Sequence, residues 1–150
     1  MHFLFAIDRS QRHKHVQFIP LPPPEEFRAF PDNIEGQNDK RIPFQHYIRA
    51  LSHEDPSQTL FHVYDKLLQD VKKVNSEENL SYNFVMTTEW IFLSPRTKDD
   101  YVGQQYDIGV NSTGMVGLLL TKSEAETQFI EEIGPLSILS DVGKPWPQKS

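Results

Sequence analysis

Hydrophobic and polar positions change period several times along the chain, and each change marks an element. The longest clean apolar stretch, Phe3 to Ile7, predicts a strand over residues 2–7. Asp8 to Arg12 is polar and reads as a loop. From Lys14 to Leu21 the pattern alternates, Lys14, Val16 and Phe18 against His15, Gln17 and Ile19, and predicts a second strand. His13 falls on the His15 side of that alternation. Pro20 and the run Pro22-Pro23-Pro24 end ladder pairing, because proline donates no backbone hydrogen bond. Residues 25–42 read as a long polar loop, and 43–51, with Phe44, Tyr47, Ile48 and Leu51, as a third strand. Over 56–74 the period lengthens. Leu60, Tyr64, Leu67, Leu68, Val71 and Val74 recur at three- and four-residue steps and predict an amphipathic helix, with Pro56 at its first position behind an Asp55 cap. Residues 82–87 and 90–94 predict a strand pair ended by Pro95 and Arg96, followed by a charged loop over 97–107. The glycine-bearing segment 114–120 reads as a strand or a buried turn. Ser123 and Glu126 form a capping box that opens a helix to about Ile133. Gly134 stops it, Pro135 starts a short helix through Val142, and 144–150 reads as a loose tail. There is no internal repeat. Strands with one long and two short helices imply an α+β fold around an antiparallel sheet.

Composition narrows the function classes. A chain of 150 residues suits one domain and can bury roughly 70% of its unfolded surface. The absence of cysteine excludes disulfides, thiolate catalysis and cysteine-based metal sites. A net charge of -6 argues against a general nucleic-acid binder. No apolar run approaches the ~20 residues of a membrane-spanning helix. Phe3–Ile7 is also short for a signal peptide and is followed by Asp8 and Arg9 rather than a small-residue cleavage site. The expectation is a cytoplasmic protein, with the nucleus a second possible location, that makes no membrane contact. Charge is unevenly spread: the first fifty residues carry seven basic against six acidic side chains, the rest eight against fifteen. Arg9, Arg12 and Lys14 cluster with His13 and His15, a basic knot in an acidic protein that reads as an anion site or as a solvated turn.

The pointed chemistry lies in His13-Lys14-His15-Val16-Gln17. On a strand, His13, His15 and Gln17 share one side. Two imidazoles there can begin a zinc site, which needs a third ligand. Alternatively one imidazole is a nucleophile and its neighbours hold a phosphate, since a neutral histidine nitrogen can attack phosphorus near pH 7 and glutamine can donate to a phosphoryl oxygen. The bland alternative is a pair of incidental surface histidines. His46, His53 and His62 have no partner pattern and read as structural or surface residues. Trp90, Phe92 and Leu118 to Leu120 read as core, and no motif assigns Asn83 or Arg96 to a substrate.

The segment Ser10-Gln11-Arg12-His13-Lys14-His15-Val16-Gln17 resembles the active-site segment of the diadenosine tetraphosphate phosphorylases, also called ATP adenylyltransferases, of the histidine-triad and galactose-1-phosphate uridylyltransferase group. Their pattern is Gly-Ala-Ser-Gln, one residue, then His-x-His-x-Gln. The C-terminal domain of that family is also resembled by Ser81 to Thr87 with Trp90 and Ser94-Pro95-Arg96, by Gly109 to Lys122, and by Gly134-Pro135-Leu136 with Leu139. Order and spacing agree across residues 10–143, leaving 1–9 as a segment outside the resemblance.

The resemblance implies a histidine-triad-like sheet in an N-terminally truncated copy of the family fold, able to self-associate through an exposed sheet edge. It implies phosphorolysis of diadenosine tetraphosphate to ATP and ADP, and the reverse, with His15 as nucleophile and an adenylyl-histidine intermediate. Ser10, Gln11, His13 and Gln17 would then bind phosphate and nucleotide. Partners would be dinucleoside polyphosphate, ATP, ADP and inorganic phosphate, with a divalent cation such as Mg²⁺ carried by the polyphosphate and no metal ligands in the protein. Adenylyl sulfate is a neighbouring substrate class for the same nucleophile. The alternative is an inactive relative that binds nucleotide or a protein partner without turnover. This chain departs from the pattern where Asp8-Arg9 replaces Gly-Ala, which removes the glycine that lets a backbone approach phosphate closely.

Overall fold

The computed structural model describes residues 3–8, 15–34, 39–51, 57–75 and 80–147, and at 3, 5, 7, 8, 15 and 57–59 it describes the backbone alone. The two apolar stretches at the start form β1 (Phe3–Asp8) and β2 (His15–Pro20), an antiparallel pair with Asp8 opposite His15, Ala6 opposite Gln17 and Leu4 opposite Ile19. β3 (Tyr47–Ala50) is followed by α1 (Ser57–Val74), β4 (Tyr82–Met86) and β5 (Trp90–Pro95). The five strands make one sheet in the order β2-β1-β4-β5-β3, every pairing antiparallel, with β2 and β3 at its edges.

Side chains alternate across this sheet, and both faces are covered. On one face α1 lays down the stripe that its three- and four-residue spacing encodes. Leu67 and Val71 pack on Phe84, Ile91 and Leu93, flanked by Leu60, Val63, Tyr64 and Leu68. The other face, the inner face below, carries Leu4, Ala6, Val85, Trp90, Phe92 and Ile48 and is covered by the second half of the chain together with the segment around Phe27 to Phe44. All six residues of β5 are buried as a result, which matches a strand that is apolar from Trp90 to Leu93 rather than alternating.

The cover of the inner face is built from α2 (Glu124–Ile133), α3 (Pro135–Val142), the 3-10 turns Phe30–Asn33 and Gly114–Val116, and their loops. Ser123 caps α2 as read by accepting a hydrogen bond from the Glu126 N–H, while the Glu126 carboxylate reaches one residue past the cap to accept from the Lys122 N–H. Gly134 ends α2 at φ 89°, in the region that favours glycine, and so lets α3 begin at once. Among the described residues no helix is long and apolar enough to cross a membrane.

Several expectations are corrected. The charged stretch 97–107 is not only a loop: β6 (Asp100–Val102) and β7 (Asp107–Gly109) pair there as a small separate sheet, each strand too short to show a period. The third strand is shorter than 43–51, because Phe44 leaves the ladder to make an isolated bridge with Pro145. Of the two readings of 114–120 the buried turn holds, over Gly114–Val116, whereas Leu120 is 64% exposed and not core. The tail is not loose at its start. Gln45 N–H donates to the Lys144 carbonyl at 2.7 Å, Gln45 Nε2 to the Pro145 carbonyl at 2.7 Å, and Trp146 Nε1 to the Ile42 carbonyl at 2.9 Å.

Candidate active site

The His-x-His-x-Gln motif enters the described residues at the start of β2. Ser10, Gln11 and His13 fall outside the described residues. His15 opens β2, paired in register with Asp8, and its side chain is likewise outside the description. Gln17 is exposed on the edge strand opposite Ala6, a position that register and alternation assign to the inner face. The strand therefore supplies the predicted alternation for positions 15 and 17.

The described residue row nearest the His15 end of that face is polar and buried, in contrast to the apolar floor beside it. Asn83 and Ser94 face each other across β4 and β5, and both are fully buried. Asn83 Oδ1 accepts hydrogen bonds from Arg96 Nη1 at 3.3 Å and Ser112 Oγ at 3.2 Å. Because a guanidinium only donates, this contact fixes which end of the amide faces it and turns Nδ2 away. Asn83 Nδ2 has no hydrogen-bond partner among the described residues. A buried donor left unmatched costs about 1–3 kcal/mol, so its presence in an otherwise satisfied core asks for a partner. Arg96 is itself buried. Its Nη2 pairs with the exposed Asp99 carboxylate at 2.6 Å and its Nε donates to the Lys98 carbonyl at 3.0 Å. Sequence reasoning quoted Asn83 and Arg96 within the resemblance but assigned them no role, since a lone asparagine on an apolar strand has no spacing to announce it.

A second buried polar centre is structural. His46 is wholly buried among Phe30, Phe44, Phe92 and Trp146. Its Nδ1 meets the Phe44 carbonyl at 2.9 Å and must donate there, which leaves Nε2 to accept the Asp39 N–H at 2.9 Å. The ring is thus held neutral, and burial pushes its pKa below the ordinary 6.5. Asp39 is held down to about 2 by its hydrogen bonds from the Arg41 side chain and backbone.

Two pockets open at the other end of the inner face. One, of about 240 Å³, is lined by Leu21, Pro24, Phe27, Arg28, Thr87 and Glu89 among others. The other, of about 320 Å³, lies against Trp90, Ile48 and Arg49, and the two share Asp32 and Glu89. Leu21 is six residues along the chain from His15, roughly 20 Å at strand rise, so neither pocket adjoins the motif. Among the described residues no group of three or more histidine, aspartate or glutamate side chains gathers to hold a metal ion.

Comparison with known proteins agrees with this architecture. Residues 40–145 match the family model of the ATP adenylyltransferase C-terminal domain. The chain is 32% identical over 165 aligned residues to Protein APA1 of Saccharomyces cerevisiae, covering 93% of this chain and 50% of that protein. It is 28% identical to diadenosine 5',5'''-P1,P4-tetraphosphate phosphorylase 2 of the same yeast, covering 82% of this chain and 44% of that protein. The fold matches crystal structures of the yeast Ap4A phosphorylase Apa2 in complex with AMP (TM-score 0.81) and with Ap4A (TM-score 0.80), at 24% identity in both, covering 96% of this chain and 57% and 55% of theirs. The chain thus spans about half the length of the curated relatives it matches. With the family's domain over most of its length and the motif-bearing hairpin on the same sheet, the chain belongs to the ATP adenylyltransferase C-terminal domain family.

Proposed function

We propose that this chain carries the nucleophile-bearing part of a dinucleoside polyphosphate phosphorylase. One observation carries the reading. The strand that bears His15 and Gln17 is paired in register to the family's own sheet, on the face that holds the buried polar row of Asn83, Ser112 and Arg96. His15 attacks the α-phosphorus of diadenosine tetraphosphate, the bond to the bridging oxygen breaks, and ATP leaves with the electron pair. Inorganic phosphate then displaces the adenylyl group from His15 and releases ADP, so one difficult transfer becomes two easier ones. Gln17 donates to phosphoryl oxygens as charge moves onto them, and Ser10, Gln11 and His13 line the polyphosphate. A divalent cation would enter on the polyphosphate as part of the substrate.

The test is intact-protein mass spectrometry after incubation with diadenosine tetraphosphate and magnesium, with phosphate withheld. The expected result is a gain of one adenylyl group in the wild-type chain and none in His15→Ala. A folded wild-type chain that takes up no adenylyl group overturns the reading. It would favour the second one, nucleotide binding without turnover, for which the loss of Gly-Ala to Asp8-Arg9 is the specific ground. Binding of the unreacted dinucleotide, followed by calorimetry, separates that case from no binding at all.

A further inference from the structure

The tail of the chain is fastened beside a buried histidine that the proposed reaction does not use. Residues 143–146 run as a strap, with Gly143 bridged to Arg96 and Pro145 to Phe44. The Gln45 N–H and Nε2 donate to the carbonyls of Lys144 and Pro145, both at 2.7 Å. The Lys144 N–H donates to the Pro95 carbonyl at 3.2 Å, and its ammonium reaches the Val74 carbonyl and Asn75 Oδ1 at the end of α1. Trp146 is the outermost fastening. Its Nε1 donates to the Ile42 carbonyl at 2.9 Å, and its ring stands at 75° to the His46 ring with centroids 5.5 Å apart. Ser94 Oγ donates to the Gln45 carbonyl at 2.9 Å, so the seat of the strap is tied to the buried polar row.

The acceptor of Trp146 sits in a turn that His46 itself holds. The Asp39 N–H donates to His46 Nε2 at 2.9 Å, and the Ile42 N–H donates to the Asp39 carbonyl at 3.0 Å. His46 Nδ1 is taken up by the Phe44 carbonyl, so Nε2 is the nitrogen on which a further proton must land. A proton there sets a second donor against the Asp39 N–H. It also makes a charge inside the cage of Phe30, Phe44, Phe92 and Trp146, where His46 is wholly buried. Turning the ring out towards water relieves both, and Trp146 is the wall of the cage that the tail supplies. We propose that residues 143–146 are an acid-released strap: a proton on His46 breaks its bond to the Asp39 backbone, shifts the turn 39–42 and frees Trp146 while the sheet stays folded. The device stands apart from the chemistry of His15.

The charges that face His46 are few. On its own segment, the Asp39 carboxylate favours a proton on the ring but is itself held by Arg41, and Lys40, over the Trp146 ring at 5.8 Å, disfavours one. The turn Phe30–Asn33 brings Asp32, whose Oδ1 accepts from Trp90 Nε1 at 2.7 Å. β5 brings no ionisable side chain, and the tail brings Lys144, whose ammonium is held at the end of α1. Burial outweighs Asp39 and keeps the pKa of the closed form below the ordinary 6.5. With the strap open the ring returns to its ordinary value, so between the two values the open form binds more protons. There the open fraction rises by about tenfold for each pH unit of acidification.

The experiment follows hydrogen exchange at the two tryptophan indole N–H groups of the full chain by NMR, with the signals told apart by Trp146→Phe. As pH is lowered from about 7.5 to about 5, protection of the Trp146 indole, corrected for intrinsic exchange, should fall by about tenfold per unit below pH 6.5. Protection of the Trp90 indole should hold over the same range. In His46→Gln, which keeps an acceptor for Asp39 and does not titrate, Trp146 should stay protected. Loss of protection at both indoles together would mean global unfolding and overturn the proposal. So would flat Trp146 protection in the wild type, or an equal fall in His46→Gln. If His46→Gln does not fold, the wild type alone decides: the His46 ring signals must titrate over the pH range in which Trp146 is released, and titration over a separate range overturns the strap.

Discussion

At the scale of single residues, His46 shows how burial assigns a protonation state. Its neutral ring donates to Phe44 and accepts from Asp39 inside an aromatic cage, and a proton on Nε2 would set two donors against each other. The folded pKa lies below the ordinary 6.5, so between the two values the unfolded chain binds more protons than the native one. Stability from this group is therefore complete above pH 6.5 and is lost as pH falls through the folded pKa. The melting temperature should drop on acidification below about pH 6.5, and His46→Gln, which keeps an acceptor and does not titrate, should remove that part of the slope. An identical slope in both proteins would show that His46 is not its source. Asp39 acts lower on the scale. With a pKa of about 2 against 3.8, its contribution is present above pH 3.8 and fades towards pH 2. None of this was legible in the sequence, where His46 had no partner pattern. The cage around it is assembled from Phe30, Phe44, Phe92 and Trp146, which lie as much as a hundred residues away.

At the scale of elements, local rules account for most boundaries. The Ser123 cap of α2 is a sequence motif with a measurable energy: Ser123→Ala should cost about 1 kcal/mol by losing the acceptor for the Glu126 N–H, a loss that a denaturant midpoint will show. The seat of α1 was legible for the same reason, since a period near 3.6 can bury only one stripe. The end of α3 depends on space rather than on a motif. At Gly143 φ is -74°, which any residue adopts, yet a Cβ there would stand 2.6 Å from the Phe44 Cβ. Gly143→Ala should therefore destabilise by about 1–3 kcal/mol and loosen the Trp146 contact, seen as changed indole fluorescence. Normal stability would mean that Phe44 can withdraw. The β6–β7 hairpin escaped detection because three-residue strands leave no period to read.

At the scale of the whole molecule, the sheet is asymmetric in its protection. β4 and β5 are central and covered on both faces, whereas β2 is an edge with Val16 and Phe18 more than half exposed. Backbone amide exchange should be slowest in β4 and β5 and faster in β2, even though β2 carries the motif. Equal protection of β2 would show that another surface covers the edge. On the proposed function, the buried row of Asn83, Ser94 and Arg96 would be the rigid floor and β2 the less protected strand.

The amino-acid sequence by itself determined the α+β class, the helices, the paired strands at 82–95 and the family's motif at 10–17, because period, caps and motif spacing are properties of neighbouring residues. Only the tertiary structure decided that Asp8 stands opposite His15 in the strand register, that Asn83 keeps an amide nitrogen unmatched among the described residues, and that His46 lies in an aromatic cage completed by Trp146 of the tail. Register and burial follow from pairings between distant segments, and those are set by the packing of the whole chain rather than by any window along it.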